Sequence, residues 1–200
     1  MAPAEIKDKT VLVAPLNWGL GHATRCWAII NELIKNNNKV ILASDGEAFE
    51  WLKREFPGLH FFSLPELKIN YSKRGAISGI LKRLPHFFNS IKKDFTAIRS
   101  IIKNQQVDII ISDNRYGVYH PQVFSVLLSH QLRLNHPLGK ILNQPFRNYI
   151  EKFDEIWIPD DADHTYSGIL SMPFEPLNTP LRFTGILSRF KRSKVEKYKY

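Results

Sequence analysis

Pro15–Leu16–Asn17–Trp18–Gly19–Leu20–Gly21–His22–Ala23–Thr24–Arg25 (PLNWGLGHATR, 15–25) follows directly on the apolar run TVLVA (10–14). TVLVAPL (10–16) is short, apolar and β-branched, the pattern of a buried parallel strand. Beyond it, residues 22–36 keep helical spacing, with Trp27, Ile30, Leu33 and Ile34 on one stripe. A strand, a turn with two glycines and a helix make the opening unit of an α/β fold. Ligands of an open parallel sheet bind beyond the carboxyl ends of its strands, so this turn stands at the ligand edge by construction. Gly19 and Gly21 allow a close backbone approach that a side chain forbids. The unpaired N–H groups of the following helix make an anion site there.

The same unit repeats downstream. KVILAS (39–44) reads as a second buried strand, Asp45–Gly46 as a turn, EAFEWLKREF (47–56) as a helix and LHFFSL (59–64) as a third strand. Residues 65–77 read as a loop, and a helical region follows from 78 to 104 with a break or kink at Pro85. VDIIIS (107–112) is a fourth strand, DNRYGVYHPQ (113–122) a loop, VFSVLLS (123–129) a fifth strand, HQLRLNHP a loop and 138–152 a helix. DEIWIP (154–159) is a sixth strand, 160–180 a loop, and LRFTGIL (181–187) a last short strand. Strands alternating with helices predict an open, mainly parallel Rossmann-like sheet with helices on both faces. The domain is expected over 1–188, with a basic linker or tail over 189–200.

The charge balance of 28 Lys+Arg against 19 Asp+Glu, net +9, invites an anionic partner: phosphate, nucleotide, acidic lipid or nucleic acid. Ordinary apolar and charged fractions exclude wholesale disorder. The single cysteine, Cys26, excludes an internal disulfide and a cysteine-based metal site. MAPAEIKDK at the start has no apolar core of a signal peptide, and no stretch approaches the roughly 18–20 apolar residues of a membrane span, so the expected location is cytoplasmic. No RNA-binding, zinc or helix-turn-helix signature accompanies the charge, so nucleic acid is not expected as a partner.

Two chemistries compete for the glycine turn. The dinucleotide fingerprint G-x-G-x-x-G is met at Gly19 and Gly21 but has Thr24 in place of its third glycine. Asp45 stands near the end of the second strand, where a ribose partner belongs, so an NAD- or FAD-binding domain stays open. Against it, His22 directly follows the second glycine. The helix dipole disfavours an imidazolium at a helix N-terminus, and a neutral imidazole is a competent general base toward a hydroxyl. Arg25 shares that helix face and suits a phosphate or a carboxylate. Asp113, Asn114, Arg115 and Tyr116 follow the fourth strand at the same edge, and His130 and Gln131 follow the fifth. His60, His86, His120, His136 and His164 read as solvated or packed histidines. Over 68–103, Lys68, Lys73, Arg74, Lys82, Arg83, Lys92, Lys93, Arg99 and Lys103 interleave with Ile77, Ile80, Leu81, Leu84, Phe87 and Phe88. Such a segment suits an anionic membrane surface; it equally suits an amphipathic helix covering the sheet, and the sheet needs that cover.

NWGLGHATR after an apolar strand resembles the start of GT-B glycosyltransferases. The resemblance is to groups related to the enzyme that adds N-acetylglucosamine to the lipid-linked peptidoglycan precursor; a UDP-sugar hydrolase of pseudaminic acid synthesis has a similar G-x-G-H-x-x-R. SDNRYG (112–117), LSHQL (128–132), DEIWIPD (154–160) and FTGILSRF (183–190) are similar to segments of a bacterial glycosyltransferase-like group, in the same order. The resemblance implies the acceptor-side, N-terminal half of a two-domain enzyme whose other half holds most of the donor site. It implies His22 as the base, and Asn17, Trp18, Gly19, Gly21, Arg25, Asp113, Asn114, Arg115, Tyr116, His130 and Gln131 as substrate contacts. The substrates implied are a nucleotide sugar, UDP-linked, and a sugar or lipid-linked acceptor, with peripheral contact at the inner face of the membrane. No metal or resident cofactor is implied, since helix dipoles and basic groups can meet the charge of a leaving diphosphate. A UDP-sugar hydrolase would use the same histidine to activate water. By itself the chain is expected to be inactive.

Overall fold

Alternation along the first strand builds both layers of the molecule. In the computed structural model, which describes residues 2–66, 77–133 and 139–190 (backbone alone for 77–84 and 139–142), that strand is β1 (Thr10–Pro15). Val11 and Val13 enter one core and Leu12 and Ala14 the opposite one, because successive side chains of a strand point to opposite faces. Gly19, at φ 69°, then turns the chain into α1 (Leu20–Lys35), in a left-handed conformation that a β-carbon disfavours. The helix starts two residues before the predicted 22, with Gly21 inside its first turn. It lays Ala23, Cys26, Ile29, Ile30 and Leu33 on the Val11 and Val13 face. Full burial of each large aliphatic among them contributes about 1.5–3 kcal/mol.

The chain continues through β2 (Lys39–Ser44), α2 (Gly46–Glu55), β3 (His60–Ser63), α3 (Ile77–Gln105), β4 (Ile109–Asp113), β5 (Phe124–Leu128), α4 (Gly139–Ile150), β6 (Glu155–Ile158) and β7 (Leu181–Phe183). Seven strands form one sheet in the order β3-β2-β1-β4-β5-β6-β7, parallel at every pairing. Ala48 and Leu52 of α2 share the α1 core. On the other face Ile98, Ile101 and Ile102 of α3 cover Leu12, Ala14, Ile41, Ala43 and Ile110. Phe146 and Ile150 of α4 cover Leu127, Ile156 and Ile158.

Most boundaries move by only one or two residues from the sequence reading, and the last strand moves further. The last strand stops at Phe183 rather than 187: the Thr184 amide still donates to the Ile158 carbonyl at the end of β6, but Gly185, at φ 68°, turns the chain off the ladder and sends its amide to the Asp160 carbonyl. Pro85 lies inside α3 without ending it. The basic residues Lys68, Lys73 and Arg74, His136, the tail 191–200, and the side chains of Ile77, Ile80, Leu81, Lys82, Arg83 and Leu84 fall outside the described residues. In the rest of α3, Lys92, Lys93, Arg99 and Lys103 are exposed while Ile91, Ile98, Ile101 and Ile102 are buried, as an amphipathic helix covering a sheet requires. Among the described residues no helix is long and apolar enough to cross a membrane.

The strand order fixes where a ligand fits. From β1 the chain winds outward through β2 and β3, then returns over α3 to β4 on the other side of β1. The connections after β1 and β4 therefore diverge and leave a crevice at the carboxyl ends, where Pro15 is paired with Asp113.

Candidate active site

Asp113, the last residue of β4, is fully buried at that crevice. The first turns of α1 deliver His22 and Arg25 to it, one helical turn apart on one face. His22 Nδ1 lies 3.1 Å from Asp113 Oδ2. Arg25 donates from Nε to Oδ2 at 2.8 Å and from Nη2 to Oδ1, a bidentate pair. Burial pushes the Asp113 carboxyl up, but Arg25 and His22 overcome it and hold it below the usual carboxylate range. Cys26, one residue further along α1, directs Sγ at Asp113 Oδ2 from 3.5 Å; burial and that carboxylate push its thiol well up. Cys26 is thus a protonated donor to Asp113 rather than a nucleophile.

Arg25 also reaches both neighbouring imidazoles, with Nη2 2.7 Å from His22 Nδ1 and Nη1 3.1 Å from His130 Nδ1. A guanidinium only donates, so His130 Nδ1 accepts and its proton sits on Nε2. Burial, then Arg25 and His22, hold His130 below the ordinary histidine range. At His22 two groups meet one ring nitrogen. A proton on Nδ1 lets Asp113 Oδ2 accept it and leaves Nε2 with a free lone pair, but it faces Arg25 Nη2; a lone pair on Nδ1 accepts from Arg25 Nη2 instead, but it faces the carboxylate. Among the described residues His22 Nε2 has no hydrogen-bond partner, and it is not sealed from solvent. The Trp18 ring, 43% exposed, lies over His22 with ring centroids 6.4 Å apart and planes 14° from parallel. Gly19 and Gly21 leave open space where a β-carbon would project, so the rim beside His22 is cleared.

The other predicted contacts are employed differently. Asn17 accepts the Ala48 amide at 3.2 Å and lies against Gly46, where a β-carbon would fall 2.0 Å from its Nδ2. It caps the first turn of α2 from outside, because the Asp45 side chain at the cap position is turned away to Arg115. Arg115, expected among the substrate contacts, is fully buried. It donates from Nε and Nη2 to Asp94 at 3.1 and 2.7 Å, from Nη1 to Asp45, and from Nη2 to the Pro65 carbonyl at 2.9 Å. Every edge of its guanidinium is spent inside the protein, which removes it from the substrate contacts. The same pairing takes Asp45 away from any ribose. Tyr116 is buried between Phe87 and Phe146, with its hydroxyl on the Gln131 carbonyl at 3.4 Å, so it belongs to the α4 core. Gln131 is half-buried, its amide held by Ser129 Oγ at 3.0 Å. Asn114 stands at φ 55° beside Asp113, with a shielded, unpartnered Oδ1.

Sequence reading passed over Asp94 and Gly117. Asp94 was the one acid in a basic helix, a signal that it had a buried cation to meet. A β-carbon on Gly117 would fall 2.1 Å from the Ile91 carbonyl of α3, so its glycine serves close packing. Asp160, in DEIWIPD, accepts the amides of Asp161, Tyr166 and Ser167 and the Ser167 hydroxyl, which brings its carboxyl down to about 2 and folds the loop after β6.

No family model matches the chain. It is similar to a protein of Methanopyrus kandleri named an uncharacterized glycosyltransferase, 26% identical over 147 residues, 68% of this chain and 41% of that one. Among solved structures it superposes on the glycotransferase of kitacinnamycin at TM-score 0.61, with 11% identity over 97% of this chain and 55% of the other. It superposes on a UDP-glucosyltransferase from Polygonum tinctorium capable of glucosylating indoxyl at TM-score 0.57, with 12% identity over 98% and 55%. The fold is that of the GT-B glycosyltransferases. The chain spans 41% of the length of the curated relative and about half of the GT-B structures it matches. By the strand order, the carboxyl edge with His22, Asp113 and Trp18 is where an open parallel sheet offers room for a ligand.

Proposed function

We propose that this chain is the acceptor-side half of a nucleotide-sugar glycosyltransferase and that His22 is its general base. One observation carries the reading: His22 holds Nδ1 against the buried Asp113 carboxylate, 3.1 Å away, while Nε2 is open at the strand-order reversal. Asp113 orients the ring and stabilises the imidazolium as it forms. An acceptor hydroxyl gives its proton to His22 Nε2 as its oxygen attacks the anomeric carbon of the donor. The sugar–phosphate bond breaks, and the nucleoside diphosphate leaves with the bonding pair. Arg25 keeps Asp113 ionised and His130 neutral. Trp18 offers a flat apolar face to a sugar or aglycone. We infer a UDP-linked donor held mainly by a second α/β half. Exposed Lys92, Lys93, Arg99 and Lys103 on α3 are compatible with a peripheral place at an anionic membrane.

His22→Ala in the full-length protein is expected to lower acceptor-dependent UDP release from a UDP-sugar by about 10²–10⁴-fold, with an unchanged circular dichroism spectrum. Near-normal turnover would falsify the assignment. UDP release that needs no acceptor, with free sugar as product, would move the reading to a hydrolase in which the same nitrogen activates water.

A further inference from the structure

Three residues past His130, the loop after β5 carries a cation that no described residue neutralises. The Arg133 guanidinium lies over the Phe174 ring, 5.4 Å from its centroid. Its Nε is buried without a hydrogen-bond partner, and among the described residues Arg133 makes no ion pair. The other shielded arginines differ. Arg25 grips Asp113, Arg115 grips Asp45 and Asp94, and Arg147 grips Glu151 and Glu175. Arg25 does so with the edge formed by Nε and one Nη, the edge that Arg133 leaves unfilled.

A shielded N–H without an acceptor is costly, and such groups in folded proteins ordinarily find one. The Nε–Nη edge of a guanidinium matches two oxygens of a carboxylate or phosphate. Phe174 borders a shallow surface cleft that is also lined by Leu132, Asn143, Arg147, Glu175 and Leu177; Arg133 stands beside it, over the Phe174 ring, rather than in that lining. Leu132, Phe174 and Leu177 give it an apolar wall. Arg147 is already neutralised, so Arg133 is the cation left to a ligand. The cleft is held to the site's own loops: the Leu132 amide donates to the Leu170 carbonyl at 2.8 Å.

We infer that Arg133, Phe174 and this cleft form a subsite for an amphipathic organic anion, its carboxylate or phosphate on the Nε–Nη edge of Arg133 and its apolar body along Leu132, Phe174 and Leu177. Within the glycosyltransferase reading, on which this role rests, the subsite makes the acceptor an acidic molecule with an apolar part. The binding itself needs no sugar transfer.

The test uses the 200-residue chain and n-hexyl phosphate as the probe. The Arg133 Nε–H resonance is expected to shift saturably in ¹⁵N spectra, with inorganic phosphate binding at least about tenfold more weakly and hexyl glucoside leaving the resonance unmoved. Arg133→Gln is expected to weaken binding of hexyl phosphate by about tenfold or more in calorimetry, and Phe174→Ala to weaken it measurably. Arg189→Gln, which removes a charge elsewhere, is expected to leave it unchanged. The inference is overturned by the absence of a saturable shift, by inorganic phosphate binding as tightly as the alkyl ester, or by Arg133→Gln binding like the parent. Hexyl phosphate binding that persists in His22→Ala separates the two ideas, since loss of the base leaves this subsite intact.

Discussion

Asp113 is the residue on which the site's electrostatics turn. It is wholly buried, and it is held ionised by Arg25 and His22. Removing one partner of a buried ion pair leaves the other charge unsolvated, at a cost of about 3–5 kcal/mol. Asp113→Leu is therefore expected to lower the unfolding free energy by about that amount in urea titrations. In ¹⁵N spectra of the parent the His22 ring is expected as the Nδ1–H tautomer, and in Asp113→Leu that preference is expected to vanish. An Nε2–H tautomer in the parent would mean that Arg25, not Asp113, owns Nδ1, and His22 would then have no base at its open nitrogen. The place of His22 at the carboxyl edge of the sheet was legible in the sequence because glycines and a helix start sit around it. The identity of its partner was legible only as one of several polar residues after the fourth strand.

At the scale of elements, α2 and α3 are tied to the site by contacts that their own sequences do not contain. α2 takes its cap from Asn17, 31 residues away, rather than from Asp45. Asn17→Ala is expected to cost about 0.5–2 kcal/mol, the ordinary worth of a cap, read as a drop in thermal midpoint. Gly117→Ala is expected to cost more, because its β-carbon would meet a backbone carbonyl of α3 that cannot swing aside. Equal midpoints for the two variants would contradict that packing. Arg115 links the same elements through Asp45 of the α2 cap and Asp94 of α3. Its neighbours in sequence gave no reason to separate it from Asp113. One residue carries the site and the next-but-one carries the scaffold, because the chain reverses at Asn114, φ 55°, between them.

For the whole molecule, these fields combine into a dependence on pH. His130 binds its proton less readily in the folded chain than its unfolded value of about 6.5, and Asp113 and Asp160 less readily than about 3.9. The unfolded chain then binds more protons, so stability falls on acidification: first below about pH 6.5 through His130, then below about pH 4, with Asp160 following down to about 2. Asp94, raised by burial despite Arg115, works in the opposite sense and softens the second step. The urea midpoint is expected to decline stepwise from pH 7.5 toward 3.5, and a midpoint that rose on acidification would refute these assignments. The order and kind of the elements and the place of His22 at the carboxyl edge of the sheet are local information, because buried strands and amphipathic helices are written in periods of two and 3.6 residues that any short window contains. Which polar groups meet is non-local: Arg25 with Asp113 across 88 residues, Arg115 with Asp45 across 70, Asn17 with the Ala48 amide of α2, and Arg133 with no carboxylate among the described residues. Those pairings follow from the β3-β2-β1-β4 strand order, which brings distant strand ends together and which no local period encodes.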